Sequence, residues 1–307
     1  MTKTETNIVL FSITLCWASS YVFMKNLPSS MSSFAYLTIT SGIASVIFAI
    51  VFFKRLKKFD KPLILRSMIT SIILSITLVF EQKGVATIPA SQASFVASLT
   101  IVIVPVLLLF FRKKPSKNNI LGIVLILCGL AFTSGIRLGE PLDIGVSYML
   151  AACLTTSIYT IAIDRFTKDS DPLLLGIGQM FFSAIFGMIL WMIEDPMTFA
   201  NIAFSRIVIA NIFLLAFFAK AYAYIMLMYS QKYANPINVT VIAATEPIIT
   251  LLLASLIPST FGSTEHFSML KLAGAFLIAI GAICAGTNFL ERKGGDQVER
   301  AHLSLPS

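Results

Sequence analysis

Charge is what this chain has least of. Asp, Glu, Lys and Arg make up 12% of its 307 residues, about half the share of an average soluble domain. So little charge cannot cover a water-facing surface, which excludes an ordinary soluble protein. Histidine is almost missing, with only His266 and His302. The four cysteines, Cys16, Cys128, Cys153 and Cys284, each lie in an apolar run and share no metal-ligand spacing, so they read as small buried hydrophobes. No metal site, cofactor or catalytic constellation is expected. No Gly-rich phosphate loop ending in Gly-Lys-Ser/Thr is found, which removes the usual ATP-driven machinery. No aromatic–basic RNA motif accompanies the net charge of +8, so nucleic acid is not expected as a partner.

Apolar sequence fills the space that charge leaves: 57% of the chain is hydrophobic. Roughly 20 apolar residues cross a bilayer core as a helix. Ten such runs are read, at about 8–24, 34–53, 63–80, 91–111, 120–136, 145–163, 173–193, 207–229, 237–257 and 270–289. The expected fold is therefore an all-α integral membrane protein of ten transmembrane helices, with the lipid bilayer as its solvent. The first run continues past the small residues Ala18, Ser19 and Ser20 to Met24, so it reads as a span and not as a cleaved signal peptide.

Lys and Arg orient the spans. With both termini on the cytoplasmic side, seventeen of the 23 basic residues fall in inside segments and five in outside ones, while Lys220 lies within a span. The expected location is the inner membrane, multi-pass, with both termini cytoplasmic. The same distribution explains the basic balance without nucleic acid.

The chain also looks internally duplicated. Pro105 and Pro247 are the prolines well inside a span, the fourth and the ninth. Gly122 and Gly129 follow the first proline, and Gly274 and Gly281, equally spaced, follow the second. Gln82-Lys83 and Gln231-Lys232 precede the paired spans, and Tyr21 corresponds to Tyr159. Residues 1–137 and 138–290 thus read as two five-helix units, with 291–307 a polar cytoplasmic tail. Because five is odd, the second unit inserts upside down, giving an inverted 5+5 repeat. Each proline frees a backbone carbonyl four residues earlier, at Ile101 and Ala243. In hydrocarbon those carbonyls need protein, water or substrate, or the prolines are only structural kinks.

Charges inside spans are costly and usually face the bundle interior. Lys220 and Glu246 stand at equal offsets from the turn near Tyr233, so similar depth and a Lys220–Glu246 pair are expected. That pair would be either helix glue or part of a substrate or proton site. Glu81 closes the third span beside Lys83 and reads as an interfacial pair or an outer gate. Trp17 and Tyr21 share a helix face. Tyr224 shares the face of Lys220, whereas Tyr222 points elsewhere. Trp17, Tyr21, Glu81, Pro105, Tyr159, Lys220, Tyr224, Glu246 and Pro247 are the candidate substrate-binding or gating residues.

With these residues in place, the chain resembles the ten-helix EamA type of the drug/metabolite transporter superfamily. The likeness rests on Trp17-Ala18-Ser19-Ser20-Tyr21, similar to that family's Trp-Gly-Ser-Ser opening, on Glu246-Pro247, on Pro105, and on the two glycine pairs. It implies export or uptake of a small metabolite, often an amino acid or related amphipathic compound; with the inverted repeat this reads as a secondary transporter, not an enzyme, working by alternating access, with export the preferred direction. An integral-membrane enzyme acting on lipid or an isoprenoid would need a reactive cluster. Asp164, Asp169 and Asp171 come nearest, but Arg165 and Lys168 interleave with them and suggest a solvated turn. A channel-like facilitator of the same fold is the third reading. The sequence carries no signal for oligomeric state.

Overall fold

The computed structural model describes residues 3–110, 117–133, 143–194, 196–197, 202, 204–234, 239, 242–243, 245–258, 264–266 and 268–286. The tail 291–307, the basic residues Arg112, Lys113 and Lys114, and Arg137 lie outside the described residues.

The described residues are helical and hold no strand. Among the described residues seven helices are long and apolar enough to cross a membrane: α1 (Lys3–Lys25), α2 (Ser33–Val51), α3 (Lys61–Thr87), α4 (Ala90–Phe110), α6 (Ile144–Phe166), α7 (Pro172–Glu194) and α8 (Arg206–Gln231). Three shorter apolar helices join them: α5 (Lys117–Thr133), α9 (Glu246–Leu256) and α10 (Met269–Gly286). A 3₁₀ turn, Phe53–Lys58, leads from α2 to α3.

Polar residues set where helices begin. Ser32 accepts the Ala35 amide at 3.1 Å, Asp60 the Leu63 amide at 2.9 Å, and Ser205 the Val208 amide at 3.3 Å. Each satisfies a donor that the first turn leaves free. Apolar side chains face outward along the helices, as with Ile50, 73% exposed, and Phe110, 82% exposed. Small polar residues face inward: Thr40, Ser41, Ser67, Thr70, Ser71, Ser157, Ser183 and Thr250 are buried. This is the inverse of a soluble protein and suits a lipid surround, where helix contacts come from close packing and interhelical hydrogen bonds.

α5 packs along α10, and α2 along α7. α3 packs on α6 and α7, while α8 packs on α1 and α2; α4 meets α6, and α9 meets α1. The glycines explain the closeness of α5 and α10. A Cβ built on Gly281 would lie 2.7 Å from the Gly122 carbonyl oxygen, and one on Gly129 or Gly274 would lie 2.6 Å from the other's carbonyl oxygen. The two backbones touch, which only residues without a side chain allow.

The chain starts at what is here termed the near end, and α1 runs to the far end. At the far end Lys25 donates from Nζ to the carbonyls of Val85, Ala86 and Ile88 at 3.1, 3.2 and 3.0 Å, neutralising the carbonyl terminus of α3. Pro89 gives α4 no side-chain cap. Glu265, from the segment after α9, supplies it, accepting the Ala90 amide at 2.5 Å, the Ser91 amide at 3.3 Å and the Ser91 hydroxyl. Glu265→Ala is expected to lower stability by about 1–2 kcal/mol, the loss of a helix cap, and Glu265→Gln by less because its amide oxygen still accepts. Thermal unfolding of the two variants in detergent checks the order. Equal midpoints to wild type would remove Glu265 as the cap.

At the near end Arg66 donates to the Asp169 carbonyl at 2.7 Å and the Ser170 hydroxyl at 2.6 Å. Asp171 lies 3.9 Å from Arg55, and Asp164 lies 3.0 Å from Lys168. Each of the three aspartates thus has a basic neighbour, the Asp169 carboxylate lying 4.0 Å from Arg66, and Asp171 also accepts the Leu173 amide of α7 at 2.9 Å.

Two expectations change here. The third helix runs on to Thr87 instead of ending at Phe80, so Glu81 is more than a turn inside it. Its interior polar groups find protein partners, as Gln82 does with the Ser33 hydroxyl, and hydropathy alone does not see that. The break in α4 falls at Ser98 and Leu99, between the helical pieces Ala90–Ala97 and Thr100–Phe110, ahead of Pro105. The turn tightens there, with Ile101 donating to Ser98 at 3.0 Å and Val102 to Leu99 at 2.9 Å. Pro247 sits in the first turn of α9, a position that tolerates proline because its missing N–H has no helical partner.

Candidate functional site

An interior cavity opens among α1, α2, α3, α4, α6, α8 and the start of α9. α5, α7 and α10 contribute nothing to its lining. About 110 Å³ is open to the centres of water molecules, room for several waters.

Seven of the nine sequence candidates line it: Trp17, Tyr21, Glu81, Tyr159, Lys220, Tyr224 and Glu246. The two prolines do not, but Ile101 and Ala243, four residues before each, do. Tyr222 is 36% exposed and bonds the Ser12 hydroxyl at 2.8 Å, away from the cavity.

Lys220 is 2% exposed and lies in a π-helical stretch of α8, Leu215–Tyr222. A π-helical segment widens the helix locally and often marks a functional position. The ammonium stands 5.2 Å from the Tyr36 ring centre and 5.4 Å from that of Tyr224, close enough for cation–π attraction. The carboxylate that acts on it is Glu81. Among the described residues no ion pair joins Lys220 to Glu246, and α3 carries Glu81 into the cavity lining beside Lys220, where the sequence suggests a membrane surface.

Glu246 begins α9 and is 8% exposed. Among the described residues no ion pair reaches it; the groups acting on it are the Tyr21 hydroxyl and the Glu81 carboxylate. Tyr21 lines the cavity together with both acids and acts on Glu81 as well. Lys83, beside Glu81 in sequence, instead lies 5.9 Å and 6.0 Å from the rings of Phe34 and Tyr148.

The aromatic wall is continuous. Trp17 and Tyr224 have ring centres 5.7 Å apart, and Tyr224 and Tyr159 6.1 Å apart, edge to face. Tyr159 donates to Gln179 Oε1 at 3.0 Å. The Trp17 indole N–H is buried with no hydrogen-bond partner among the described residues, a donor that desolvation penalises until something accepts from it.

Sequence reasoning misses Tyr36 and Gln179. Gln179, an amide in the middle of an apolar run, is a visible signal. Tyr36 is not, since a tyrosine near the start of a span reads as an interfacial residue. Small polar liners such as Ser98, Thr156 and Thr160 carry no pattern that separates them from the helix-packing serines and threonines.

The model of the EamA-like transporter family matches residues 5–135 and again residues 143–287. A protein of Archaeoglobus fulgidus described as an uncharacterized transporter is 26% identical over 272 residues, covering 88% of this chain and 82% of that one. A solved crystal structure aligns with 95% of this chain and 99% of the other at a TM-score of 0.68 and 15% identity; that likeness concerns the fold alone.

Proposed function

The chain belongs to the EamA-like transporter family, part of the drug/metabolite transporter superfamily, and from that premise we propose that it moves a small amphipathic metabolite across the cytoplasmic membrane by alternating access. It is a multi-pass membrane transporter and not an enzyme. The proposal adds a mechanism, a site, an orientation and a direction, namely export.

One observation carries the site: the interior cavity gathers the charged and aromatic residues of the spans, whose burial in an apolar bundle would otherwise be costly. Apart from α2, whose counterpart α7 adds nothing, the cavity is lined by α1 with α6, α3 with α8, and α4 with α9, the partners that an inverted repeat of ten spans relates to each other. Helix contacts follow the same pairing. α3–α6 corresponds to α8–α1, α3–α7 to α8–α2, and α4–α6 to α9–α1, while α2–α7 and α5–α10 pair with their own counterparts. At the α5–α10 crossing Gly122 meets Gly281 and Gly129 meets Gly274, the reciprocal contact of a two-fold axis. The family model's match to each half supports residues 1–137 and 138–290 as the two units. Rocking such halves exposes the same site to each side in turn.

Under this reading the near end is cytoplasmic. Reporters at both termini are expected to be active only inside the cell, and reconstituted protein is expected to exchange labelled substrate for unlabelled across the vesicle wall. Uptake that rises linearly with concentration and shows no counterflow would replace the carrier with a channel-like facilitator. A reporter after Ser307 active only outside would invert the orientation.

A further inference from the structure

The charges that line the cavity do not balance. Two carboxylates, Glu81 and Glu246, share the lining with one ammonium, Lys220, and Glu81 is the carboxylate that acts on that ammonium. Glu246 has a hydroxyl, not a cation, beside it. No salt bridge reaches it among the described residues, so its ionised form is a negative charge without a cationic partner in a buried setting. The cavity therefore has one open charge position, and it calls for a cation. The rings on the other side, Trp17, Tyr224 and Tyr159, form an apolar wall with one spare donor, the Trp17 indole N–H. Lys220 offers no comparable position for an anion, since Glu81 and the rings of Tyr36 and Tyr224 already surround it.

We infer that the cavity binds an organic amine, its ammonium group paired with Glu246 and its apolar body against the Trp17–Tyr224–Tyr159 wall. This rests on the transporter reading and narrows it. An amine with no carboxylate is preferred over an amino acid, because a substrate carboxylate would meet Glu81 and Glu246 with the one lysine already engaged.

Three probes with the same ring separate the cases: phenylethylamine, phenylalanine and phenylpropionate. Each is titrated against purified full-length protein in detergent, following tryptophan fluorescence and the thermal midpoint. Phenylethylamine is expected to bind, phenylalanine about tenfold or more weaker, and phenylpropionate not at all. Glu246→Gln is expected to weaken amine binding by about 10- to 100-fold, the range of a charge-assisted hydrogen bond, while Glu246→Asp, which keeps the charge, loses less. If Glu246→Gln does not fold, the ranking of the three probes on the wild-type protein decides alone. Preference for the acid or the amino acid overturns the inference, as does unaltered amine binding in a folded Glu246→Gln protein, or no binding of any probe at millimolar concentration. Counterflow in proteoliposomes is measured in parallel. An amine that binds without being exchanged upholds the site and overturns the transporter mechanism, whereas exchange of the acid alone does the reverse.

Discussion

Lys220→Met is expected to be the most damaging single change in the cavity. It leaves volume nearly unaltered but strands the Glu81 carboxylate, which has Lys220 as the cation acting on it. Removing one partner of a buried pair costs about 3–5 kcal/mol, because the other charge stays buried without compensation. Adding Glu81→Gln to Lys220→Met is expected to recover most of that loss, since no charge is then stranded. Adding Glu246→Gln is expected to recover much less. Thermal unfolding in detergent of the single and the two double variants forms a cycle that identifies the partner. Rescue by Glu246→Gln in place of Glu81→Gln would restore the pairing suggested by span offsets. Transport separates glue from site: a stable, fully active Glu81→Gln/Lys220→Met protein would show that the pair serves packing only.

The second large effect lies away from the cavity. Gly122→Leu is expected to break the α5–α10 crossing. A Cβ at residue 122 collides with the Gly281 carbonyl oxygen and lies 2.8 Å from the Ala285 backbone nitrogen. Neither is the end of a flexible side chain, so the helices themselves must separate. Overpacking costs about 1–3 kcal/mol in well-packed cores, and here no hydrophobic force draws the helices back, because lipid solvates the freed surface as well as a neighbouring helix does. Gly122→Ala should already be destabilised within that range, and Leu should largely prevent recovery of folded protein. Gly42→Ala is the control, since its nearest neighbour would be 4.0 Å from the new methyl. Size-exclusion profiles and thermal midpoints check all three. A Gly122→Leu protein as stable as the control would mean that the crossing is looser than its glycines imply.

Much of this molecule is legible in its amino-acid sequence. Apolar runs locate the helices because the bilayer sets a minimum length, and charges inside those runs announce themselves by their cost. Helical phase and correspondence between halves single out Trp17, Tyr21, Tyr159 and Tyr224, and the cavity brings them together. Glu81 is found by its charge but assigned the wrong surroundings. Hydropathy drops at Glu81-Gln82-Lys83, which looks like a membrane surface, and only tertiary contacts reveal that the helix continues. The partner of Lys220 is left open by the sequence for a related reason. Equal offsets from a turn fix depth, but they say nothing about direction around the helix, and the π-helical stretch at Lys220 shifts that direction in a way no local pattern records. Glu265 as the cap of α4 is out of reach altogether, because a contact between residues 265 and 90 leaves no trace in either segment.

The three interior charges lie unevenly across the two halves. Aligned through Gln82-Lys83 and Gln231-Lys232, Glu81 faces Ser230 and Lys220 faces Ser71; aligned through the two prolines, Glu246 faces Val104. A carrier built of two equivalent halves would present the same site to both compartments, and its half-saturating concentration would be equal on either side. Under the alternating-access proposal, with every charge unmatched by its counterpart, the two empty forms differ in energy, so half-saturation on one side need not equal that on the other. Detailed balance still constrains such a carrier. For uncoupled exchange, the ratio of maximal flux to half-saturation must be identical in the two directions, and any measured departure from that equality reports a second, energised species crossing with the substrate.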